Sequence, residues 1–285
     1  VQTCALPIFI NMKREILKDA IKGLFEGEQA LICPDIAAKH RKELHESSGN
    51  AEEELSHLDS STLLAVNFFT LFEKSHPKAK VNFDWKGSSP LKVGGKSNLD
   101  VRVEYGNNID FYESKYLEPY YMNNSAFTES YYKKELYRTS FFENESDLKS
   151  VLQHIVNIKY YNASQLFRHL IAISNHIASN INYYSDKTVR LISATWKMPE
   201  SFKNALRADQ RFSKRSETYL VSRISVLNDE KGKTEAILDN LINTYIRPFI
   251  DDVDLSFKVK TYNDMISEVE DSGNEYESFL RRYIL

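Results

Sequence analysis

An aspartate, a glutamate and a lysine on two neighbouring segments are spaced so that they could act together. The segments NLDVRVEY (98–105) and NIDFYESKYLEP (108–119) have the alternating pattern of strands, and a short Gly/Asn turn joins them. Side chains two apart on a strand point to the same face, so Glu113 and Lys115 share one. We expect Asp100, on the first strand, to lie close to both.

These residue types predict a metal-assisted hydrolytic site. Two carboxylates and a main-chain carbonyl form an all-oxygen site of the kind that Mg²⁺ or Mn²⁺ prefers. We assign Asp100 and Glu113 as metal ligands, with the backbone carbonyl of Ser114 as a third. Lys115 would orient the attacking water and offset developing negative charge. The alternative is an ordinary hairpin whose charged face is solvated.

The residues around the charged pair favour a site over a solvated hairpin. Ile109, Phe111, Tyr112 and Tyr116 make this strand apolar on both sides of the charges. A strand of that composition is typical of the interior of a sheet. Charges that emerge from a buried strand need a structural or chemical reason.

The arrangement of an acid followed by Glu-x-Lys on a hairpin partner resembles the PD-(D/E)XK nuclease superfamily. The run ESKYLEPYY (113–121) is similar to the E-x-K-Y-x-E-P signature of a bacterial restriction-endonuclease-like branch. HLDSSTLLAVNFFTLF (57–72) is similar to the helix that precedes it there, and YYNASQLFRHL (160–170) to the helix that follows. The resemblance covers about residues 55–175.

The resemblance implies an α/β fold, with a restriction-endonuclease-like mixed central β-sheet flanked by helices and extra C-terminal helices. It implies a Mg²⁺-dependent endonuclease that hydrolyses phosphodiester bonds in double-stranded DNA. Two alternatives stay open. One is a catalytically inactive nucleic-acid-binding module on the same fold, and the other is a structure-specific or RNA nuclease.

The resemblance also implies supporting or substrate-binding side chains. Ser61 and Asn67 match the preceding helix, and Gln165 and Arg168 match the following one. Gln165 and Arg168 are three apart and therefore share a helix face, although a helix-surface hydrogen bond would explain them equally. Glu118 stands before a proline at a predicted strand end, where it would either hold the hairpin or approach the substrate.

Many superfamily members supply a further glutamate from the first helix. Glu54 and Glu73 flank that helix here, and neither occupies a matching position. We interpret Glu54 as part of a solvated acidic turn.

Basic residues recur at intervals of four in the C-terminal half, at Lys203, Arg207, Arg211 and Arg215, with Lys214 alongside. On one helix, residues at this interval form a single sloping stripe. We interpret the stripe as a contact surface for the DNA backbone. The alternative is a solvated helix face.

The whole-chain composition gives no global attraction to nucleic acid. The 285 residues are 42% hydrophobic, and the net charge is −3. Attraction to DNA must therefore be local. The chain has no apolar run of bilayer-spanning length, so we expect a cytoplasmic protein that does not bind membranes. The sequence leaves a homodimer open.

The first eight residues, VQTCALPI, look like a translated sequencing adapter, and we exclude 1–8 from fold reasoning. We expect 9–285 to form a single domain with a catalytic core at about 55–200. His154, His169 and His176 lie on amphipathic segments, and we interpret them as partly buried helix residues. Periodicity predicts strands at 79–85, 188–196 and 253–260, and helices at 11–26, 58–74, 147–157, 160–179, 201–213, 234–245 and 262–284.

Overall fold

A five-stranded mixed sheet forms the centre of the fold. The computed structural model describes residues 14–45, 51–270 and 273–285, so the adapter-like segment 1–8 lies outside the described residues. The strands are β1 (Lys80–Lys86), β2 (Asn98–Tyr105), β3 (Asn108–Lys115), β4 (Thr188–Thr195) and β5 (Asp254–Thr261). Their order in the sheet is that of the chain. The first three strands pair antiparallel, and β3, β4 and β5 pair parallel.

The predicted hairpin is confirmed, with a turn one residue shorter than predicted. Tyr105 pairs with Asn108, so only Gly106 and Asn107 form the turn. Gly106 has a φ of 55°, which glycine adopts at little cost. All six residues between the ends of β3 are buried, as the apolar composition predicts. β3 is thus an interior strand with neighbours on both sides.

Helices cover both faces of the sheet, which confirms the predicted α/β class. The α-helices in the described residues are α1 (Arg14–Leu24), α2 (Pro34–Lys39), α3 (Arg41–His45), α4 (Ala51–Glu54), α5 (Ser61–Ser75), α6 (Glu118–Tyr121), α7 (Glu145–Val156), α8 (Ala163–Ser179), α9 (Ile181–Tyr184), α10 (Glu200–Ala208), α11 (Lys214–Leu241), α12 (Tyr262–Met265) and α13 (Asn274–Phe279). Helix α5 packs on one face, where Phe69 contacts Tyr112 of β3 at 4.6 Å between ring centroids. Helix α8 packs on the opposite face, where Gln165 donates to Glu113.

The C-terminal helices differ from the predicted ones. Helix α11 begins at Lys214 rather than near 234, and its buried residues recur every three or four positions. Three of these, Arg223, Glu230 and Thr234, are polar. The prediction was wrong here because buried polar side chains break the apolar stripe by which an amphipathic helix is recognised.

The predicted single stripe of basic residues is also wrong. Helix α10 ends at Ala208, and the Ser213 hydroxyl accepts from the Ser216 N–H to begin α11, so Arg211 lies in the turn between two helices. Carboxylates also pair with these cations. The pairs are Lys203–Glu200 at 3.0 Å, Arg207–Glu200 at 2.7 Å, Arg207–Glu217 at 2.8 Å, Arg211–Asp209 at 2.6 Å and Arg211–Asp19 at 2.9 Å.

The predicted continuous helix over 262–284 is broken. Helix α12 ends at Met265, a 3₁₀ turn covers Ile266–Glu268, and α13 begins only at Asn274. Gly273, before α13, has a φ of 74°, a conformation that does not continue a right-handed helix. Within the described ranges, no helix combines the length and apolar character that crossing a bilayer requires.

A histidine between two glutamates joins the N-terminal helices to α5. The two ring nitrogens of His40 each lie 3.0 Å from a carboxylate, one from Glu43 and one from Glu73. Burial alone would lower the pKa of His40, but these hydrogen bonds outweigh it and raise the pKa above its ordinary value of 6.5. Burial would raise the pKa of Glu43, but hydrogen bonds from His40, Asn82 and the Phe83 N–H lower it below 4.5.

This cluster predicts a pH-dependent contribution to stability. A raised histidine pKa stabilises the fold fully below pH 6.5, and the contribution is lost as the pH rises through the folded-state value. A lowered glutamate pKa stabilises it above pH 4.5. We expect His40→Gln to lower the free energy of unfolding by about 1.5–3 kcal/mol between these two pH values and by less in alkali. Urea unfolding across this pH range measures it. His154→Gln is the control, because His154 is exposed and not partly buried as predicted. An equal loss at every pH would contradict the assignment.

Candidate active site

Glu113 is the centre of a buried polar cluster on the α8 face of the sheet. Its Oε1 accepts from the Lys115 ammonium at 2.6 Å and from the Gln165 amide at 2.7 Å. The side chain of Glu113 is 3% exposed, whereas that of Lys115 is 19% exposed. Glu113 and Lys115 share this face because they are two apart on β3, as predicted. The lysine can therefore reach solvent while the carboxylate is held beneath it.

Asp100 reaches the same cluster from β2. Continuing the pairing of Val101 with Tyr112 by one residue sets Asp100 opposite Glu113. The carboxylate of Asp100 accepts the backbone N–H of Ser114 at 2.6 Å. The carbonyl of Lys115 accepts from the Trp196 N–H and therefore faces the β4 side of the strand. The peptide groups of successive residues in a strand face alternate sides, so the N–H and carbonyl of Ser114 face β2 and Asp100. The structure thus places Asp100 opposite Glu113 and turns the Ser114 carbonyl toward the strand that carries Asp100.

Burial and neighbouring charges shift the ionisation of all three side chains. Burial raises the pKa of Asp100 well above its ordinary value, and the negative charge of Glu113 adds to the shift. Burial would also raise the pKa of Glu113, but Lys115 and His169 outweigh it and lower the pKa to about 2. Burial would lower the pKa of Lys115, but Glu113 and Asp100 raise it. Glu113 and Lys115 are therefore charged, while Asp100 lacks a full counter-charge.

His169 belongs to this cluster, although its sequence pattern predicted only a partly buried helix residue. Its Nε2 lies 3.0 Å from Glu113 Oε2, an ion-pair distance without the alignment of a good hydrogen bond. Its Nδ1 hydrogen-bonds the hydroxyl of Ser97, just before β2. His169 and Ser97 are both buried. The spacing of four from Gln165 to His169 on α8 was the available signal, because residues four apart share a helix face.

A cleft of about 200 Å³ opens beside the cluster. Its walls carry Glu113, Lys115, Glu118, Pro119, Met122, Asn123, Tyr160, Tyr161, Asn162, Gln165, Leu166 and Ser193. The cleft joins the charged cluster to aromatic and amide side chains from two loops.

Helix α11 holds these two loops in place through buried charged residues. Arg223 donates to the Pro119 carbonyl at 2.8 Å and to the Met122 carbonyl, and its guanidinium lies 4.1 Å from the centroid of the Tyr160 ring. Glu230 accepts three successive backbone N–H groups, from residues 159 to 161, at 2.8–2.9 Å. The buried polar residues that interrupt the apolar pattern of α11 therefore also shape the cleft.

The other predicted helix residues lie in different places. Asn67 is fully buried, accepts the Ile32 N–H at 2.9 Å and donates to the Ala30 carbonyl and the Tyr283 hydroxyl. It connects chain segments on the α5 side and is not brought to the carboxylates. The Ser61 carbonyl accepts from the Ser114 hydroxyl of β3 at 3.3 Å.

The remaining acids also have defined positions. Glu118 begins α6 rather than ending a strand, and its carboxylate accepts the Tyr116 N–H at 2.8 Å while lining the cleft. Glu54, interpreted as a solvated turn residue, accepts from the hydroxyls of Ser60 and Thr62 at the start of α5. Neither Glu54 nor Glu73, which binds His40, completes the cluster around Glu113.

The oxygen donors fit a hard divalent cation that keeps most of its water ligands. Mg²⁺ is commonly held by only one or two carboxylates, so Asp100 and Glu113 with the Ser114 carbonyl would suffice. No set of three or more His, Cys, Asp or Glu side chains in the described part of the chain is grouped as a metal site. The raised pKa of Asp100 is the property of a carboxylate that a cation would stabilise in its charged form.

Comparison with known families gives one match. A family model described as restriction endonuclease associating with ARP matches residues 17–284, which is nearly the whole chain. No curated protein and no solved structure matches significantly.

Proposed function

The chain belongs to the family described as restriction endonuclease associating with ARP, and from this premise we propose that it is a Mg²⁺-dependent endonuclease of the PD-(D/E)XK type that hydrolyses phosphodiester bonds in DNA. The observation that carries the proposal is the convergence of Asp100, Glu113 and Lys115 on one sheet face beside an open cleft. The family match supports a restriction-endonuclease-like protein, and the cluster supports this chemistry.

The residues divide the chemistry between them. Asp100, Glu113 and the Ser114 carbonyl would hold Mg²⁺, which when bound supplies a Lewis acid for a phosphodiester oxygen and lowers the pKa of a water. Lys115 stays protonated because neighbouring carboxylates raise its pKa. Its ammonium can orient a water toward phosphorus and stabilise charge on the phosphoryl oxygens as one P–O bond forms and the other breaks. Gln165 and His169 hold Glu113 in orientation.

The rival proposals share the fold and differ in turnover or substrate. A nucleic-acid-binding module without activity would need cationic residues that contact the polynucleotide. It would not need Lys115 beside the carboxylates of Asp100 and Glu113. A structure-specific or RNA nuclease would use the same cluster on another polynucleotide. Absence of all cleavage would favour the binding module, and the kind of polynucleotide that is cleaved decides between the nucleases.

Incubation with supercoiled plasmid DNA tests the proposal. We expect nicking or linearisation with Mg²⁺ or Mn²⁺ and none with EDTA, because the carboxylates alone cannot activate a water. Asp100→Asn keeps the size of the side chain and an oxygen for the Ser114 N–H, so it should fold and yet remain inactive with Mg²⁺. Cleavage of RNA or of branched DNA alone would favour the second rival. If no polynucleotide is cleaved, the binding module replaces the enzyme.

A further inference from the structure

A second cleft lies on the other side of Gln165 from the first. Its volume is about 310 Å³, and its walls include Lys96, Ser97, Tyr131, Gln165, Arg168 and His169. Gln165 lines both clefts, and His169 contacts Glu113. A ligand in the second cleft would therefore be separated from the catalytic carboxylate by one layer of side chains.

The second cleft is electropositive. None of the described residues that line it is acidic. In the described part of the chain, Lys96 and Arg168 make no ion pair, and the guanidinium of Arg168 has a single long contact, 3.4 Å from the Ser125 hydroxyl. The basic residues of α10 and the turn after it contrast with them, because Lys203, Arg207 and Arg211 each face a carboxylate. Two unneutralised cations in one concave surface attract an anion.

The loop that carries Lys96 is fixed against α8 at two points. The Ser97 hydroxyl hydrogen-bonds His169, and the Asn175 amide donates to the carbonyls of Ser89 and Pro90 at 3.1 Å. Arg168 lies on the same helix, so both cations line one cleft, and hydrogen bonds between this loop and α8 hold its walls together. A site that is organised before binding loses less entropy when its ligand enters.

We propose that the cleft between Lys96 and Arg168 binds a backbone phosphate that adjoins the phosphodiester to be cleaved. The proposal rests on the proposed nuclease function and adds its substrate-positioning site. A strand bound there passes over Gln165 to reach Lys115 and Glu113. This cleft, and not the predicted basic stripe, then supplies the main electrostatic contact to nucleic acid.

The test compares DNA binding by a double variant, Lys96→Ala with Arg168→Ala, with binding by a charge-matched control. The control is Lys149→Ala with Lys233→Ala, which removes two exposed cations from other helices. Binding to a labelled duplex is measured with Ca²⁺ in place of Mg²⁺ at several salt concentrations, so that no turnover is needed. We expect the cleft variant to bind about tenfold more weakly. The slope of log affinity against log salt concentration should become shallower by about one to two, because about one to two fewer counterions are released. The control should stay within about twofold of the parent, since exposed cations of this kind act only through screened charge.

The outcomes separate the subsite from the nuclease proposal. If the parent cleaves DNA and the cleft variant binds with parental affinity and salt dependence, the subsite is wrong and the nuclease stands. If the parent binds but never cleaves, and the cleft variant loses binding, the cleft is a DNA-phosphate site, but the nuclease proposal and the placement beside a scissile bond are both wrong. Inorganic phosphate distinguishes a free anion from a DNA phosphate. If phosphate stabilises the parent but not the cleft variant against heat, and the two bind DNA with equal affinity, the cleft binds a free anion and not a DNA backbone phosphate.

Discussion

Lys115→Ala should reduce Mg²⁺-dependent cleavage of plasmid DNA by about 10²–10³-fold, the usual cost of removing one group that stabilises transition-state charge. The ammonium of Lys115 lies 2.6 Å from Glu113 and is the part of the cluster that reaches solvent. Its loss removes the donor that would orient water and offset charge at phosphorus. Single-turnover cleavage with enzyme in excess over plasmid measures the chemical step.

Two comparisons make the Lys115 result specific. Lys149→Ala removes an exposed lysine that lines neither cleft and should cleave like the parent. Lys115→Arg keeps the positive charge but replaces a compact ammonium with a planar group, so we expect activity between those of the parent and the alanine variant. DNA binding and thermal unfolding should show that Lys115→Ala is folded and binds substrate. Cleavage at the parental rate by Lys115→Ala would remove the proposed mechanism.

His169→Ala should raise the Mg²⁺ concentration needed for half-maximal cleavage by about 10–100-fold, as expected for residues that orient metal ligands without touching the metal. His169 lies between Glu113 and Ser97. Removing its ring takes away one of the three side chains described above as contacting the Glu113 carboxylate. Lys115 and Gln165 still hold Oε1, but Oε2 loses its contact with the His169 ring, so the carboxylate is held less firmly.

The Mg²⁺ titration distinguishes positioning from loss of fold. At saturating Mg²⁺ the His169→Ala rate should approach that of the parent, because the cation itself then orients Glu113. His169→Gln, whose amide can contact the Glu113 carboxylate, should recover part of the affinity. Exposed His154→Ala serves as the control and should titrate like the parent. A lower maximal rate with an unchanged Mg²⁺ requirement would show that His169 does not act through Glu113.

The hairpin and its charged residues could be predicted from sequence because both follow from short-range periodicity. Alternation along β3 places Glu113 and Lys115 on one face whatever surrounds the strand. The two-residue turn then brings β2 alongside and sets Asp100 opposite Glu113. The mixed sheet follows from the same logic, since a short turn makes antiparallel partners and a helical crossover makes parallel ones.

The partners of those residues could not be predicted, because they depend on how helices pack across the sheet. His169 lies on an amphipathic helix, and only the docking of α8 turns it toward Glu113. Arg223 and Glu230 disrupt the apolar pattern of α11, and their roles appear only when the loops that they hold are present. For Arg211, a spacing of four suggested one helix, but a turn at Asp209 interrupts it.

The amino-acid sequence alone thus determined which segments form the sheet and which three ionisable residues lie together on it. Both follow from the two-residue alternation of side chains along each strand. Tertiary structure decided which cations remain without a carboxylate and which clefts border the cluster. Cavity shape arises between segments that are distant in the chain, and so do ion pairs such as that of Arg211 with Asp19. Arg211 and Lys96 both lie outside helices, yet Arg211 pairs with Asp19 of α1 and Lys96 faces an open cleft.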